Sequence, residues 1–335
     1  MIGRIFSPLA GLLLAASTLS ASEKVLQPGD VVAICGDSIT EQKYYSRFIE
    51  DYLLMCQPVD VTVFQAGWSG EKAGGLLQRM KNDVLPFQPT VATLCYGMND
   101  GGYTATNPAL LETYKKALTD VVKTFRDSGV RSVVVGSPGV VDTTTYRNRS
   151  TSPEVYNQTL ADFSQAASEV AEAGGMNFAN VNKEMAEVMP KAKARYGAEY
   201  HVAGGDGVHP ALNGHLVMAY TFLKALGCDG NIGTITLDTG AGKAEASEGH
   251  KVVNASKDAV EIESKRYPFC FTGDPANPSA TRGIIEFLPF NQELNRFILV
   301  VKNSPAEKLR VTWGSASREF TAKQLEKGIN LAAEF

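Results

Sequence analysis

Residues 31–40, Val-Val-Ala-Ile-Cys-Gly-Asp-Ser-Ile-Thr, join a short apolar run to a polar turn. Five consecutive apolar residues predict a strand that is covered on both faces of a sheet. Gly36 follows that run, and Asp37 is a residue type that caps the first turn of a helix. We therefore expect Ser38 to lie between a buried strand and a helix, with its hydroxyl at the rim of the sheet.

Apolar runs and amphipathic segments alternate from Gly29 to about Gly227. The predicted strands are Val31–Cys35, Val59–Gln65, Thr90–Tyr96, Arg131–Ser137 and Asn177–Val181. The predicted helices lie near Tyr44–Cys56, Gly75–Val84, Pro108–Ser128, Pro153–Ala173, Lys183–Tyr196 and Pro210–Leu226. This alternation predicts an α/β fold with a doubly wound parallel sheet and right-handed crossovers. Ligands bind beyond the carboxyl ends of the strands in such sheets.

The N-terminal residues have the features of an export signal. Arg4 supplies a positive charge, Ile5–Ala16 is apolar, and small residues continue to Ser22. The apolar run is shorter than the roughly 20 residues of a transmembrane helix. We expect a secreted or periplasmic protein without stable membrane insertion. A buried N-terminal helix is the alternative that this pattern leaves open.

The pattern changes after Cys228. Short β-rich runs separated by glycine-, proline- and asparagine-rich turns follow at Asn231–Asp238, His250–Ser264, Arg296–Lys302 and Leu309–Trp313. They predict a smaller, mostly antiparallel β module. The chain then divides into a signal peptide (1–22), an α/β domain (23–228) and this module (229–335). The β-rich pattern continues to the last residue, Phe335, which leaves open whether the module is complete.

Charge and cysteine spacing exclude several classes of partner. The 335 residues include 32 Lys and Arg against 36 Asp and Glu, and no basic cluster marks a nucleic-acid surface. The spacing of the five cysteines fits no zinc pattern, so we expect them to be structural. A Cys228–Cys270 bridge is left open. We expect no metal and no organic cofactor, and nothing in the sequence indicates the oligomeric state.

Four short blocks, each near a predicted strand end or helix start, carry groups that fit hydrolytic chemistry. In chain order they are Gly36-Asp37-Ser38-Ile39, Gly67, Gly97-Met98-Asn99-Asp100 and Asp206-Gly207-Val208-His209-Pro210. A serine hydroxyl needs an adjacent base to become a nucleophile. Of the four histidines, His209 is best placed, because Pro210 suits the first turn of a helix. Asp206, three residues earlier, is close enough to orient the imidazole. Alone, each block fits a turn or a cap, but together they predict a serine hydrolase.

The blocks resemble those of the SGNH hydrolases, also called GDSL-type esterases and lipases, over about residues 29–226. The resemblance implies a flavodoxin-like catalytic domain with Ser38 as nucleophile, His209 as general base and Asp206 as its partner. It also implies an oxyanion hole whose donors are the Ser38 N–H, the Gly67 N–H and the Asn99 side-chain amide. The first block ends in isoleucine rather than leucine, which keeps an apolar residue at that position.

The blocks define the reaction but not the ester. The loops at 101–108, 141–153 and 198–207 are polar, unlike the apolar mouth of a lipase. An export signal and an added β module resemble family members that remove acetyl groups from polysaccharides, so our first hypothesis is an esterase of acetylated glycans. The alternatives are a lysophospholipase or thioesterase-like hydrolase of longer acyl chains, and a catalytically inactive glycan-binding protein.

Further residues are weaker candidates for substrate contact. Trp68 follows the oxyanion glycine and suits stacking on a sugar ring, although a packing role fits equally well. Tyr103, Tyr146 and Arg147 lie in loops after strand ends, where substrate contacts collect. His215 on the last predicted helix fits a structural role better than a catalytic one.

Overall fold

The computed structural model describes residues 25–56, 59–147 and 150–335. The expected export signal over residues 1–22 lies outside the described residues and stays a prediction. Among the described residues, no helix combines the length and the apolar character needed to cross a membrane.

A five-stranded parallel sheet lies at the centre of the α/β part. Its strands are β1 (Asp30–Gly36), β2 (Val61–Gly67), β3 (Val91–Cys95), β4 (Ser132–Gly136) and β5 (Asn177–Ala179). The spatial order is β2-β1-β3-β4-β5, and every neighbouring pair is parallel. This is the flavodoxin-like order, in which the chain switches direction at β1/β3. The predicted fold class is confirmed.

Seven helices follow these strands in the described part of residues 25–228. They are α1 (Ser38–Glu41), α2 (Tyr44–Met55), α3 (Ala73–Asp83), α4 (Pro108–Asp127), α5 (Pro153–Gly174), α6 (Val181–Tyr196) and α7 (Leu212–Ala225). The strands and long helices that the sequence predicts are all present, with ends displaced by at most two residues.

Side chains of β1 alternate between the two faces of the sheet. Val32 and Ile34 point into a core that includes α2, α6 and α7. Ala33 and Cys35 point into a second core that includes α3 and α4. Because successive residues of a strand face opposite sides, an unbroken apolar run is what a strand covered on both faces requires.

Residues 229–335 are β-rich, as predicted. They contain β6 (Asn231–Asp238), β7 (Lys243–Ala246), β8 (His250–Ala255), β9 (Val260–Ser264), β10 (Arg296–Lys302), β11 (Lys308–Trp313), β12 (Ala316–Thr321) and β13 (Ile329–Asn330). The short helices α8 (Phe290–Glu293), α9 (Ala322–Lys327) and α10 (Leu331–Glu334) lie among them. Four of the five strand pairings in this region are antiparallel, but the central pair, β6 and β10, is parallel.

The C-terminal region shares a core with the α/β part. The Tyr52 hydroxyl of α2 donates to the Leu294 carbonyl at 2.6 Å. The Phe290 ring lies 6.3 Å from that of Tyr52 and 6.0 Å from that of Tyr220 on α7. One buried cluster runs through both parts. The division of the chain at residue 228 stays a prediction, and α2 and α7 are helices of the α/β part that contact the C-terminal region.

All five cysteines are described, and all are free thiols. The bridge between Cys228 and Cys270 that the sequence leaves open is therefore absent. Cys228 is buried and Cys270 is exposed. Burial raises the pKa of the Cys35 thiol to about 12, which leaves it protonated and unreactive at neutral pH.

Two glycines let α1 approach the strand ends. Gly36 and Gly67 are register partners across β1 and β2. A Cβ atom on Gly67 would lie 2.3 Å from the backbone nitrogen of Glu41, and one on Gly36 would lie 2.0 Å from the hydroxyl of Thr40. Any side chain at Gly67 would therefore push α1, and with it Ser38, away from the sheet.

We expect Gly67→Ala to lower the free energy of unfolding by about 1–3 kcal/mol, as overpacking does, and to lower esterase activity through displacement of α1. Gly74→Ala is the matched control. Its Cβ would meet only the Ala117 methyl group, at 4.0 Å. Gly74 also lies in a helix, where alanine is favoured over glycine by about 1 kcal/mol. Urea unfolding and ester hydrolysis measure both effects. Equal behaviour of the two variants would contradict the packing argument.

Candidate active site

Ser38 occupies the first position of α1, and only Asp37 separates it from the end of β1 at Gly36. The Asp37 carboxylate caps this helix by accepting the Ile39 N–H at 2.9 Å. Ser38 itself is partly exposed, whereas its neighbours Asp37 and Ile39 are buried. The cap fixes the turn, so the hydroxyl lies at the rim of the sheet as the sequence predicts.

The three residues that the sequence predicts for catalysis are hydrogen-bonded in a row. Ser38 Oγ lies 2.9 Å from His209 Nε2. His209 Nδ1 lies 2.7 Å from Asp206 Oδ2. In this arrangement Nε2 is free to accept the serine proton only when Nδ1 carries the ring hydrogen, and the Asp206 carboxylate favours that tautomer.

Asp206 is positioned by the loop that it belongs to. Its Oδ1 accepts the N–H groups of Val208 and His209, each at 2.9 Å. Burial by itself would raise the pKa of Asp206. The His209 backbone N–H and imidazole, together with the Val208 N–H, outweigh burial and hold that pKa below its usual range. The carboxylate therefore stays ionised in mildly acidic solution.

Glycines shape the same loop. Gly204 and Gly207 have φ angles of 81° and 77°, a region that glycine adopts without strain. A Cβ on Gly204 would lie 1.7 Å from the His209 carbonyl oxygen. The Gly207 carbonyl accepts the N–H of Asp142 at 2.9 Å. Tight folding of this loop thus brings His209 back toward the strand ends.

The structure brings Gly67 and Asn99 to the Ser38 turn. Trp68 N–H donates to the Gly36 carbonyl at 3.0 Å. Gly67 is also the register partner of Gly36 and is therefore held at the strand end that leads into the Ser38 turn. Asn99 Nδ2 lies 3.4 Å from Asp37 Oδ2 and 3.2 Å from the carbonyl of Glu71. These long contacts place an amide donor beside the residue that precedes Ser38.

A buried ion pair supports these donors, and sequence analysis missed it. Arg79 contacts both carboxylate oxygens of Glu71, at 2.6 and 2.7 Å, and their side chains are only 15% and 5% exposed. Arg79 also donates to the Ala66 carbonyl at 2.7 Å, one residue before Gly67. The Tyr96 hydroxyl donates to Glu71 at 2.6 Å. The only sequence signal was an acidic residue just before α3 and an arginine within it.

Asp37 and Asp100 hold backbone turns. Asp100 accepts the N–H groups of Gly97 and Ala73, each at 3.0 Å. Burial raises the pKa of Asp37 to about 7 and that of Asp100 to about 6, although N–H donors to each carboxylate act in the opposite direction. Both carboxyl groups thus retain protons at higher pH than ordinary aspartates do.

The remaining residues are the candidates for substrate contact and His215, which the sequence assigns a structural role. Trp68 is 58% exposed. The Tyr103 hydroxyl donates to Asn99 Oδ1 at 3.4 Å, and the Tyr103 and Tyr146 rings lie 6.5 Å apart. His215 is fully buried, and burial lowers its pKa to about 3. With Nε2 only 2.9 Å from Gln42 Oε1, it has the structural environment that we expect.

In the described ranges, no group of three histidine, cysteine, aspartate or glutamate side chains is arranged to hold a metal ion. The side chains of the site present a hydroxyl, an imidazole oriented by a carboxylate, and an amide donor nearby.

Comparison with known proteins now identifies the family. The profile of the GDSL-like Lipase/Acylhydrolase family matches residues 34–217, more than half of the chain. The chain belongs to this family. The match spans every block that carries the Ser38, Gly67, Asn99 and His209 side chains or backbone. The protein is thus a serine carboxylic-ester hydrolase.

Two kinds of relative resemble this hydrolase. An acetylxylan esterase from Geobacillus stearothermophilus is 22% identical in an alignment of 222 residues that covers 62% of this chain and 96% of the esterase. A solved acetylxylan esterase structure from that bacterium covers 61% of this chain and 97% of its own, with a TM-score of 0.50 and 20% identity. At that identity it shows the shared fold.

The structure of a gut microbial diltiazem-metabolizing enzyme matches more of the hydrolase. It covers 92% of this chain and 73% of its own, with a TM-score of 0.73 and 25% identity. Since 92% of the chain exceeds the α/β part, the likeness continues into the C-terminal region.

We expect Arg79→Met to lower the free energy of unfolding by about 3–5 kcal/mol, because it leaves the Glu71 carboxylate buried without its cation. The double variant Glu71→Gln/Arg79→Met should recover part of that loss. Lys116→Met, which removes an exposed pair with Asp120, is the control and should have little effect. Urea unfolding measures all three, and an Arg79→Met protein as stable as the wild type would refute the argument.

A second expectation concerns pH. Because the pKa of Asp37 is raised from 3.8 to about 7 in the folded state, the native protein binds this proton more tightly than the unfolded chain does. The contribution of Asp37 to stability therefore falls as pH rises from about 4 to about 7 and is constant above that range. Asp37→Asn keeps an oxygen that can accept the Ile39 N–H.

The melting temperature of Asp37→Asn relative to wild type should therefore rise across this pH window. Asp100 is present in both proteins, so its titration largely cancels in the difference. A difference that stays constant from pH 4 to pH 8 would mean that Asp37 does not titrate in this range.

Proposed function

We propose that this hydrolase is an exported esterase that removes acetyl groups from acetylated carbohydrates, with Ser38, His209 and Asp206 as its catalytic triad. The observation that carries the proposal is the continuous hydrogen-bonded row from Ser38 Oγ through both imidazole nitrogens to Asp206. This geometry supplies what a serine nucleophile needs: a base within 3 Å and a carboxylate that orients the base.

In the first half of the proposed reaction, Ser38 Oγ attacks the ester carbonyl carbon while His209 Nε2 takes its proton. The carbonyl oxygen becomes negative in the tetrahedral intermediate. The Ser38 N–H, the Gly67 N–H and the Asn99 amide stabilise that charge at the N-terminus of α1. His209 then returns the proton to the departing alcohol oxygen, and the C–O bond breaks to leave an acyl-serine.

The second half repeats the chemistry with water. His209 Nε2 removes a proton from a water molecule, whose oxygen attacks the acyl carbon. The intermediate collapses, the Ser38 oxygen leaves as it regains the proton from His209, and the carboxylic acid is released. Each step moves one proton between oxygen and Nε2, and Asp206 remains ionised and stabilises the imidazolium.

Two observations support acetylated carbohydrate as the substrate. The first is the acetylxylan esterase among the relatives. The second is the exposed Trp68 beside Gly67, because a flat aromatic face at the entrance suits a ring-shaped alcohol better than a long acyl chain. Trp68 would then contact the sugar.

A substrate with longer acyl chains is less well supported, since the loops around the site are polar. The diltiazem-metabolizing relative keeps a non-carbohydrate ester open as the second candidate. A catalytically inactive binding protein fits less well, because every block of the catalytic set is intact.

Export is part of the proposal and depends on the N-terminal pattern alone. N-terminal sequencing of the protein recovered from cell fractions tests it. A protein found in the cytoplasm with Met1 or Ile2 at its N-terminus would refute this part and leave the esterase proposal untouched.

The functional test is hydrolysis of p-nitrophenyl esters from acetate to decanoate by wild type and Ser38→Ala. We expect rates to be highest on acetate and to fall to background in the variant, because no other described group in the row can form the acyl intermediate. A maximum at long chains would favour the lipase-like alternative. Equal rates in both proteins would refute the triad.

Asn99→Ala completes this test. Loss of one oxyanion donor should lower kcat by about 10²–10³ with little change in KM. Circular dichroism and melting temperature confirm that both variants are folded. Full activity of Asn99→Ala would exclude it from the oxyanion hole and leave the Ser38 assignment intact.

A further inference from the structure

A polar cleft of about 570 Å³ opens beside Trp68. We call it the Trp68 cleft. It is formed by the loop after β2 and one side of α3, and its side chains are mostly hydrogen-bonding groups, among them Lys72, Gln78, Asn82 and Asp83. The reaction assigned above makes no use of these four residues, and their side chains are solvent-exposed.

The cleft begins at the oxyanion donors. Trp68 follows Gly67 in the chain, and its N–H is bonded to Gly36, two residues before Ser38. Glu71, which also lines the cleft, accepts the Asn99 amide through its carbonyl. Two residues that line the cleft, Trp68 and Glu71, therefore lie directly beside the oxyanion donors Gly67 and Asn99.

The indole of Trp68 is held in place from one side. The Arg79 guanidinium lies over the ring, 5.7 Å from its centre, a cation–π arrangement. Arg79 cannot easily swing away, because Glu71 holds it by two short bonds and the Ala66 carbonyl by a third. An aromatic ring that is exposed and yet fixed loses little entropy when a ligand stacks on it.

The side chains that line the Trp68 cleft favour a sugar ring over a long acyl chain. A long acyl chain needs an apolar channel, whereas Trp68 is the one large apolar side chain lining this cleft. A sugar ring has C–H groups on its faces, which pack on an indole, and hydroxyl groups at its edge, which bond to amides and carboxylates. Gln78 and Asn82 supply amides about one helical turn apart on α3, and Asp83 supplies a carboxylate next to Asn82.

We propose that the Trp68 cleft is the subsite for the sugar ring that carries the acetyl ester, with Trp68 as stacking platform and Gln78 and Asn82 as partners of ring hydroxyls. This inference rests on the proposed function, since it concerns the alcohol part of the same substrate. It adds the prediction that discrimination for carbohydrate esters resides in residues 68–83, separate from the groups that cleave the ester.

The test compares two acetate esters with different alcohols: tetra-O-acetylxylopyranose, which carries the sugar, and ethyl acetate, which does not. Acetate release gives kcat/KM for each, and the ratio of the two values measures discrimination. In Trp68→Ala we expect this ratio to fall about tenfold to a hundredfold, as for an aromatic anchor. Trp68→Phe should keep part of it.

Asn82→Ala should lower the ratio by about two- to tenfold, the range for one neutral hydrogen bond, and it tests the cleft without touching the aromatic ring. Trp313→Ala is the matched control, because Trp313 is another exposed tryptophan, 41% exposed, in the C-terminal region. Its ratio should equal that of the wild type.

Each result has one meaning. The subsite is refuted if the kcat/KM ratio is unchanged in Trp68→Ala and in Asn82→Ala. It is also refuted if Trp68→Ala loses equal activity on both esters, because Trp68 would then support the oxyanion donors. A wild type that cleaves ethyl acetate but not the acetylated sugar also overturns it and leaves the triad standing. A wild type inactive on both esters refutes the proposed function itself. A kcat/KM ratio in Trp68→Phe that lies between those of Trp68→Ala and the wild type supports stacking.

Discussion

The close approach of α1 to the ends of β1 and β2 is the constraint on which the site depends. Gly36 and Gly67 face each other there, and neither position has room for a Cβ atom. Because nothing separates the helix from the strands, the Ser38 turn lies directly against the strand end that carries the Gly67 N–H. A larger residue at either glycine would widen this gap, and a donor misplaced by 1 Å loses most of its electrostatic benefit.

Two parts of the fold hold the two halves of the chemistry. Of the proposed oxyanion donors, Gly67 ends β2, Ser38 begins α1 and Asn99 lies in the turn after β3. The Glu71–Arg79 pair connects Gly67 and Asn99 through the Ala66 and Glu71 carbonyls. The base lies on a long loop, which is fixed by its own glycines and by the Asp206 carboxylate rather than by a strand. In the proposed site, the strand ends fix the positions of the donors, whereas the position of the base depends on local hydrogen bonds.

Sequence patterns predicted the sheet, its helices and the Ser38–His209–Asp206 row because each leaves a local signal. Val31–Cys35 shows burial on both faces, and Pro210 marks the start of a helix. The Glu71–Arg79 pair left no such signal, since its value comes from burial that only the packed sheet creates. The parallel pairing of β6 with β10 was equally hidden. A strand pattern shows which side of the strand is buried, but it does not show the direction of a partner strand that lies far away in the chain.

Helices α2 and α7 share a core with the C-terminal region, so removal of that region would change the surface of the α/β part. The acetylxylan esterase aligns over nearly all of its own length with 62% of this chain, so an esterase of this kind exists without a matched counterpart for the rest. Here Tyr52 and Tyr220 face Phe290 and not water. Removal of the C-terminal region would expose these apolar faces and favour aggregation. The α/β part of this chain could therefore stand alone only with polar residues in place of the apolar ones that now meet Phe290.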